Sequence, residues 1–172
     1  MTETAFKGRD MKRTILVVDD ESGPRESLKV ILKPFYHVEI AEDVTSAFGI
    51  IDSKKVDLVT LDLKMPSLQG EEILKIIKRK NPEIEVIIVS GNASLKSAIN
   101  GIRYGASDFI IKPFNISDLT HSISTALNKK KRKEELKDFL NEIGNTFGTN
   151  VSVTEVIEHI KELRVNQRKT AR

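Results

Sequence analysis

The sequence predicts an α/β fold: a doubly wound sheet of five parallel strands with helices on both faces, followed by C-terminal helices. Two observations predict it. Short β-branched runs alternate five times with segments of helical periodicity. The central runs, such as Ile15–Val18 and Val86–Val89, are apolar without interruption, as strands covered on both faces are. Parallel neighbours of this kind are joined by right-handed crossovers.

The elements follow in order. Thr14–Asp19 (TILVVD) is the first strand. A helix comes next, with Leu28, Ile31 and Leu32 at helical spacing and Pro24 in its first turn. His37–Ala41 (HVEIA) alternates as a second strand. Val44, Ala47, Phe48 and Ile51 then share a helical face behind Asp43, a residue suited to capping. Asp57–Leu63 is the third strand, and GEEILKIIKRK is an amphipathic helix that Pro82 ends. Glu85–Ser90 is the fourth strand, and the helix after it closes at Gly105. Asp108–Lys112 is the fifth strand, and a last helix begins near Ser117 and Asp118.

Composition narrows the function. The chain has 172 residues and no cysteine, so no disulfide framework, thiolate metal site or cysteine nucleophile is available. No apolar run approaches the ~20 residues that span a bilayer, so membrane insertion is not expected. The opening MTETAFKGRD lacks the apolar core of a secretory signal and reads as a polar, flexible tail over residues 1–11, which makes the cytoplasm the default compartment. Charge is uneven. Asn128–Arg172 carries eleven Lys and Arg against seven Asp and Glu, a net +4, whereas the remaining 17 bases and 18 acids leave −1. A near-neutral body therefore precedes a basic tail.

In a sheet of this kind the site lies outside the carboxyl ends of the strands. The residues that end strands here are Asp19, Asp20, Asp62, Ser90 and Lys112. Adjacent carboxylates at the rim of a core repel, and desolvation disfavours both. A hard cation offsets that repulsion: Mg²⁺ takes one or two carboxylates, retained waters and a phosphate oxygen. Lys112 adds a second positive charge and Ser90 a hydroxyl donor, so the set surrounds an anion carried on one of the acids.

These residues resemble the receiver domain of two-component response regulators, the flavodoxin-like CheY family. The resemblance rests on the double acid after strand one, on LDLKMPSLQG with Asp62 ending strand three, on Ser90 ending strand four and on DFIIKPF with Lys112 ending strand five. It covers residues 12–128. It implies that Asp62 accepts a phosphoryl group from a sensor histidine kinase or a phosphotransfer protein. It further implies that Asp20, Asp62 and the Lys64 backbone carbonyl hold Mg²⁺, with Asp19 acting mainly through metal-bound water. Lys112 and Ser90 would contact phosphoryl oxygens, and Gly91 would let backbone N–H approach them. Lys112–Pro113 would be the family's cis peptide, aiming the lysine inward. Phe109 would be the aromatic switch, although DFII reads equally well as core. Lys64 and Asn92 occupy positions that tune the lifetime of the acyl phosphate in the family, with a sign the residues leave open. The histidines His37, His121 and His159 share no spacing and read as non-functional.

Residues 129–172 extend past a bare receiver. The fifth helix continues, with Leu136, Phe139, Leu140 and Ile143 as an apolar stripe and Gly144 and Gly148 marking its end. Ser152 and Glu155 form a capping box that opens a second helix bearing Val153, Val156, Ile157, Ile160 and Leu163. The stripes must bury against the receiver, a second copy of the chain or a partner, with a homodimer favoured, and nucleic acid is the less favoured use of KKKRK. A DNA-binding regulator working through this basic extension is the alternative. An Asp-nucleophile phosphatase of the haloacid-dehalogenase type needs an acid two residues after the nucleophile, where this chain has Lys64. The set therefore reads as a phospho-accepting switch rather than an enzyme acting on a separate substrate.

Overall fold

The computed structural model describes residues 12–65, 69–91 and 94–147. Ten elements alternate along it: β1 Thr14–Val18, α1 Ser22–Leu32, β2 His37–Ala41, α2 Val44–Ser53, β3 Leu58–Leu61, α3 Gly70–Lys80, β4 Glu85–Ser90, α4 Leu95–Arg103, β5 Asp108–Ile111 and α5 Ile116–Phe147. All strand pairs are parallel, in the order β2-β1-β3-β4-β5. The strands are shorter than the sequence runs. Asp19, Asp62 and Lys112 fall just beyond the ends of β1, β3 and β5, where the ladder stops and the chain turns.

The strict alternation of side chains divides the core in two. Ile15, Val17, Leu58, Ile87 and Ile110 face one way and pack with Leu28 and Leu32 of α1 and Leu119, Ile123 and Leu127 of α5. Leu16, Val18, Val59, Leu61, Val86 and Ile88 face the other way, against α2 and α3 residues such as Ala47, Ile51, Ile73 and Ile77. Capping agrees with the sequence. The Asp43 carboxylate accepts from the Ser46 N–H at 2.7 Å at the start of α2, and Ser94 and Ser97 form the equivalent box on α4. In α3, Glu71 and Glu72 lie in the first turn and Lys78, Arg79 and Lys80 in the last, each favourable to the helix dipole.

Among the described residues, one buried polar atom of the core stands out. The Thr60 side chain is fully buried on β3, and its Oγ1 has no hydrogen-bond partner. A buried polar group left unmatched costs about 1–3 kcal/mol. Thr60→Val is expected to recover part of this and raise the midpoint of thermal unfolding, read by circular dichroism. A lower midpoint would show that the hydroxyl contributes to stability.

The chain divides into two compact units, Met1–Leu127 and Asn128–Arg172. The helix α5 continues unbroken to Phe147, so Gly144 lies inside it rather than at its end. Within the second unit Leu136 and Phe139 are exposed. Lys130 with Glu134 and Lys131 with Glu135 are i,i+4 pairs, each at 3.9 Å. The expected N-terminal tail, Asn92, Gly148 and the second extension helix from Val153 lie outside the described residues. Among the described residues, no helix is long and apolar enough to cross a membrane.

Candidate functional site

The sheet order turns at β1, which lies between β2 and β3. A crevice outside the carboxyl ends of β1 and β3 is the expected binding position in such a sheet. Val18 and Leu61 are in register, so the next residues, Asp19 and Asp62, emerge side by side. Asp19, Asp62 and Lys112 also continue the alternation of Val17, Thr60 and Ile110, which places all three on the α1/α5 side of the sheet.

Lys112 closes this group. Its Nζ donates to Asp19 Oδ2 and to Asp62 Oδ2, both at 2.7 Å. The side chains of the two acids are 4% and 7% exposed, and that of the lysine 17%, so the charges face each other largely out of water. Burial works against the Lys112 ammonium, but the two carboxylates outweigh it and lift its pKa above the usual lysine value. Asp20 joins from the exposed side. One carboxylate oxygen from each of Asp19, Asp20 and Asp62 lies within 4.8 Å of the others. Three carboxylates against one ammonium leave two negative charges, and an all-oxygen donor set suits a hard divalent cation.

Neighbouring groups fix the carboxylates. The Lys64 N–H donates to Asp62 Oδ1 at 2.9 Å, and the Glu21 N–H to Asp19 Oδ1 at 3.0 Å. Gly70 matters here. A Cβ on it would stand 2.5 Å from Leu63 Cα and 3.0 Å from the Asp62 carbonyl oxygen, both backbone atoms that cannot swing aside. Gly70→Ala is therefore expected to cost about 1–3 kcal/mol through overpacking, measured by urea unfolding. An unchanged transition would mean that the start of α3 shifts without cost.

Ser90 ends β4 on the other side of the sheet and is fully buried. It lines a cavity of about 200 Å³ together with Leu63, Lys64, Gln69, Gly70, Glu71 and Ser97. Its carbonyl oxygen accepts from the Lys112 N–H at 2.9 Å, which ties the strand-four and strand-five ends together. Phe109 is half-buried and packs against the α2/α3 core cluster. A Cβ on Gly101 of α4 would meet Phe109 Cδ2 at 3.6 Å and Ile88 Cδ1 at 2.5 Å, so α4 approaches the sheet closely there. The Lys112–Pro113 peptide is cis. Gly91 follows Ser90 directly, next to Lys112. Among the described residues, a Cβ on it would meet Lys112 Cβ at 3.9 Å, an ordinary contact.

Residues 15–124 match the family model of the response regulator receiver domain. The chain belongs to this family. An NtrX-like response regulator of Rickettsia bellii is 36% identical over 132 residues, 75% of this chain and 28% of that protein. The DNA-binding transcriptional regulator NtrC of Proteus hauseri is 30% identical over 162 residues, 88% of this chain and 33% of the relative. This receiver chain therefore spans about a third or less of the length of these relatives. A CheY-like receiver domain from Methanospirillum hungatei superposes with a TM-score of 0.68 at 32% identity, covering 71% of this chain and 98% of that structure.

One contact was not legible in the sequence. Arg25 draws no functional reading from the sequence. It is buried, at 9% exposure, beneath the Asp19–Asp20 turn.

Proposed function

We propose that this receiver is a phosphorylation-operated switch in which Asp62 takes a phosphoryl group from the phosphohistidine of a sensor kinase or phosphotransfer protein. The observation that carries the reading is the Lys112 ammonium, 2.7 Å from both Asp19 and Asp62 within a cluster of three acids. An Asp62 carboxylate oxygen attacks phosphorus, the bond from phosphorus to the imidazole nitrogen breaks, and the imidazole leaves with the electron pair. Such transfers depend mainly on positioning and charge neutralisation. Asp20, Asp62 and the Lys64 carbonyl would hold Mg²⁺, with Asp19 acting mainly through metal-bound water. The ion would supply positive charge opposite the phosphoryl oxygens. Lys112 pairs with one of those oxygens and Ser90 donates to another.

The same reading makes the chain the acceptor in a relay, not an enzyme with a separate substrate. Ser90 and Phe109 lie on the side of the sheet that α4 covers, which supports relay of the signal to the face formed by α4, β5 and α5. Leu95, Ile99, Ile102 and Ile111 are exposed on that face. The test is intact mass after incubation with Mg²⁺ and a small phosphodonor. One acid-stable, hydroxylamine-labile phosphoryl group is expected, and none would overturn the reading.

Output through the extension is proposed as self-association. Leu136 and Phe139 are exposed on α5. Burying a side chain of that size is worth about 1.5–3 kcal/mol. Light scattering is expected to give a dimer for the full chain and a monomer after truncation at Asn128. A full chain that stays monomeric at high micromolar concentration would exclude the dimer. The second reading, a DNA-binding regulator, draws on the printed description of the Proteus hauseri relative. It is also supported by the exposed Lys129, Lys131, Arg132, Lys133 and Lys137. It predicts a gel shift that weakens steeply with salt.

A further inference from the structure

Behind the acid rim lies a buried charged side chain that phosphoryl transfer does not use, Arg25. The helix α1 carries it on the same face as Leu28 and Leu32, which lock that face into the core. Its Nη1 donates to the Asp19 carbonyl oxygen at 2.7 Å, in a buried contact. Its Nη2 faces Glu42 Oε2 at 3.4 Å, and the Glu42 side chain is 71% exposed.

The position of this contact is specific. The Asp19 carbonyl belongs to the peptide that joins Asp19 to Asp20. The ladder of β1 ends at Val18, so neighbouring strands no longer set the orientation of that peptide. The Asp19 N–H is still held by the Ala41 carbonyl at 3.2 Å, and the Glu21 N–H by the Asp19 carboxylate. The guanidinium takes the remaining carbonyl. A short, charge-assisted bond from a buried, helix-anchored donor fixes the peptide plane. The plane in turn fixes the Cα atoms from which both acids project.

We propose that Arg25 is a positioning residue for the cation site: it sets the geometry of the Asp19–Asp20 turn through the Asp19 carbonyl. This rests on the reading of the rim as a Mg²⁺ site. Two effects of Arg25 have opposite signs, which makes the proposal testable. As a bare positive charge near the rim it opposes cation binding, so its removal would tighten Mg²⁺. As a positioning group it supports binding, so its removal weakens Mg²⁺. Groups that orient metal ligands from outside typically change affinity 10–100-fold when removed. The structure favours the second effect, because the guanidinium makes a short, buried, direct bond to the Asp19 carbonyl, whereas its charge is partly offset by the exposed Glu42.

The experiment is calorimetric Mg²⁺ titration of the full chain, wild type against Arg25→Ala, Arg25→Lys and Glu42→Gln. Arg25→Ala is expected to bind Mg²⁺ about tenfold more weakly. Arg25→Lys keeps the charge but loses the two-armed donor, and is expected to fall between the two. Glu42→Gln removes only an exposed, long contact and should stay within about twofold of wild type. In phosphorylation by a small phosphodonor, the Mg²⁺ concentration at half-saturation should rise in Arg25→Ala while the plateau is retained. A merely structural role would lower the melting temperature without moving either Mg²⁺ measure. Equal or tighter binding in Arg25→Ala overturns the proposal. If that variant does not fold, Arg25→Lys decides it, and wild-type affinity there overturns the proposal. A wild type that takes up no Mg²⁺ would remove the metal reading and this proposal together. Wild-type binding with unaffected Arg25 variants would remove this one alone.

Discussion

Asp62→Ala is expected to take up no phosphoryl group under conditions in which the native chain takes up one. Asp62 is placed for this role by backbone, not by its own side chain. It follows β3 directly, and its N–H is held by the Val18 carbonyl at 3.0 Å. One carboxylate oxygen accepts from the Lys64 N–H at 2.9 Å and the other from Lys112 at 2.7 Å. These bonds orient a carboxylate, which is a competent nucleophile toward phosphorus. Asp19 and Asp20 are near enough to raise the question of a substitute. Asp19 already receives the Glu21 N–H and the Lys112 ammonium, and Asp20 is exposed. The expected result is therefore loss of labelling, not relocation. Mass spectrometry of the intact chain and of its peptides checks this, and full labelling of Asp62→Ala would remove Asp62 from the acceptor role. The fold itself should survive, because the substitution relieves repulsion at the rim while leaving both core clusters intact.

Much of this site was legible because strand-end positions are encoded twice. An apolar run such as ILVV identifies a buried strand, and the first polar residue after it must stand at the rim. That logic alone brought Asp19, Asp62, Ser90 and Lys112 to one edge. The exact strand ends were not legible. Asp57, Asp62 and Lys112 read as parts of strands, yet the regular strands end one residue inside them, with their N–H groups still bonded to the Thr14, Val18 and Ser90 carbonyls, since side-chain character does not reveal where a ladder breaks. Gly91 illustrates a different limit. A glycine beside a proposed anion site lets backbone N–H approach a bound phosphate, and a contact that forms only with the anion present leaves no trace in the packing of the free protein. Arg25 illustrates a third. Its contact joins residues through a backbone carbonyl, and backbone acceptors carry no sequence signal. The length of α5 was partly legible: the apolar stripe from Leu136 predicted continuation past Leu127, whereas Gly144 suggested a stop. A single glycine costs a helix only about 1 kcal/mol, which the flanking turns overcome.

Lys112→Met is expected to separate two roles that one ammonium performs. In the absence of a cation, Lys112 is the counter-charge for Asp19 and Asp62. Removing it while keeping an apolar stem leaves three carboxylates within 4.8 Å without the ammonium that bridges two of them. Mg²⁺ then gains affinity, because it no longer competes with the ammonium for the Asp62 and Asp19 oxygens. Stabilisation by added Mg²⁺ should correspondingly increase, by ligand linkage. Phosphorylation should move in the opposite direction. Loss of a preorganised charge at a developing anion costs about 10²–10³ in rate, so the variant should bind the cation better and transfer the phosphoryl group far more slowly. The protonation state supports this use of Lys112. Its pKa is raised, so the charge persists in the folded protein at and above the pH where a free lysine titrates. A raised pKa stabilises the fold fully below the unfolded value of about 10.4 and loses that contribution as pH rises through the folded value. Neither the stability contribution of the pair nor the transfer rate should therefore show a Lys112 titration near neutral pH, and the stability contribution should fade only in strong alkali. Calorimetry for Mg²⁺, thermal melts with and without it, and single-turnover labelling across pH check the three parts. A native transfer rate in Lys112→Met, or a weaker Mg²⁺ affinity, would show that the ammonium holds the acids in place without serving the transferred group.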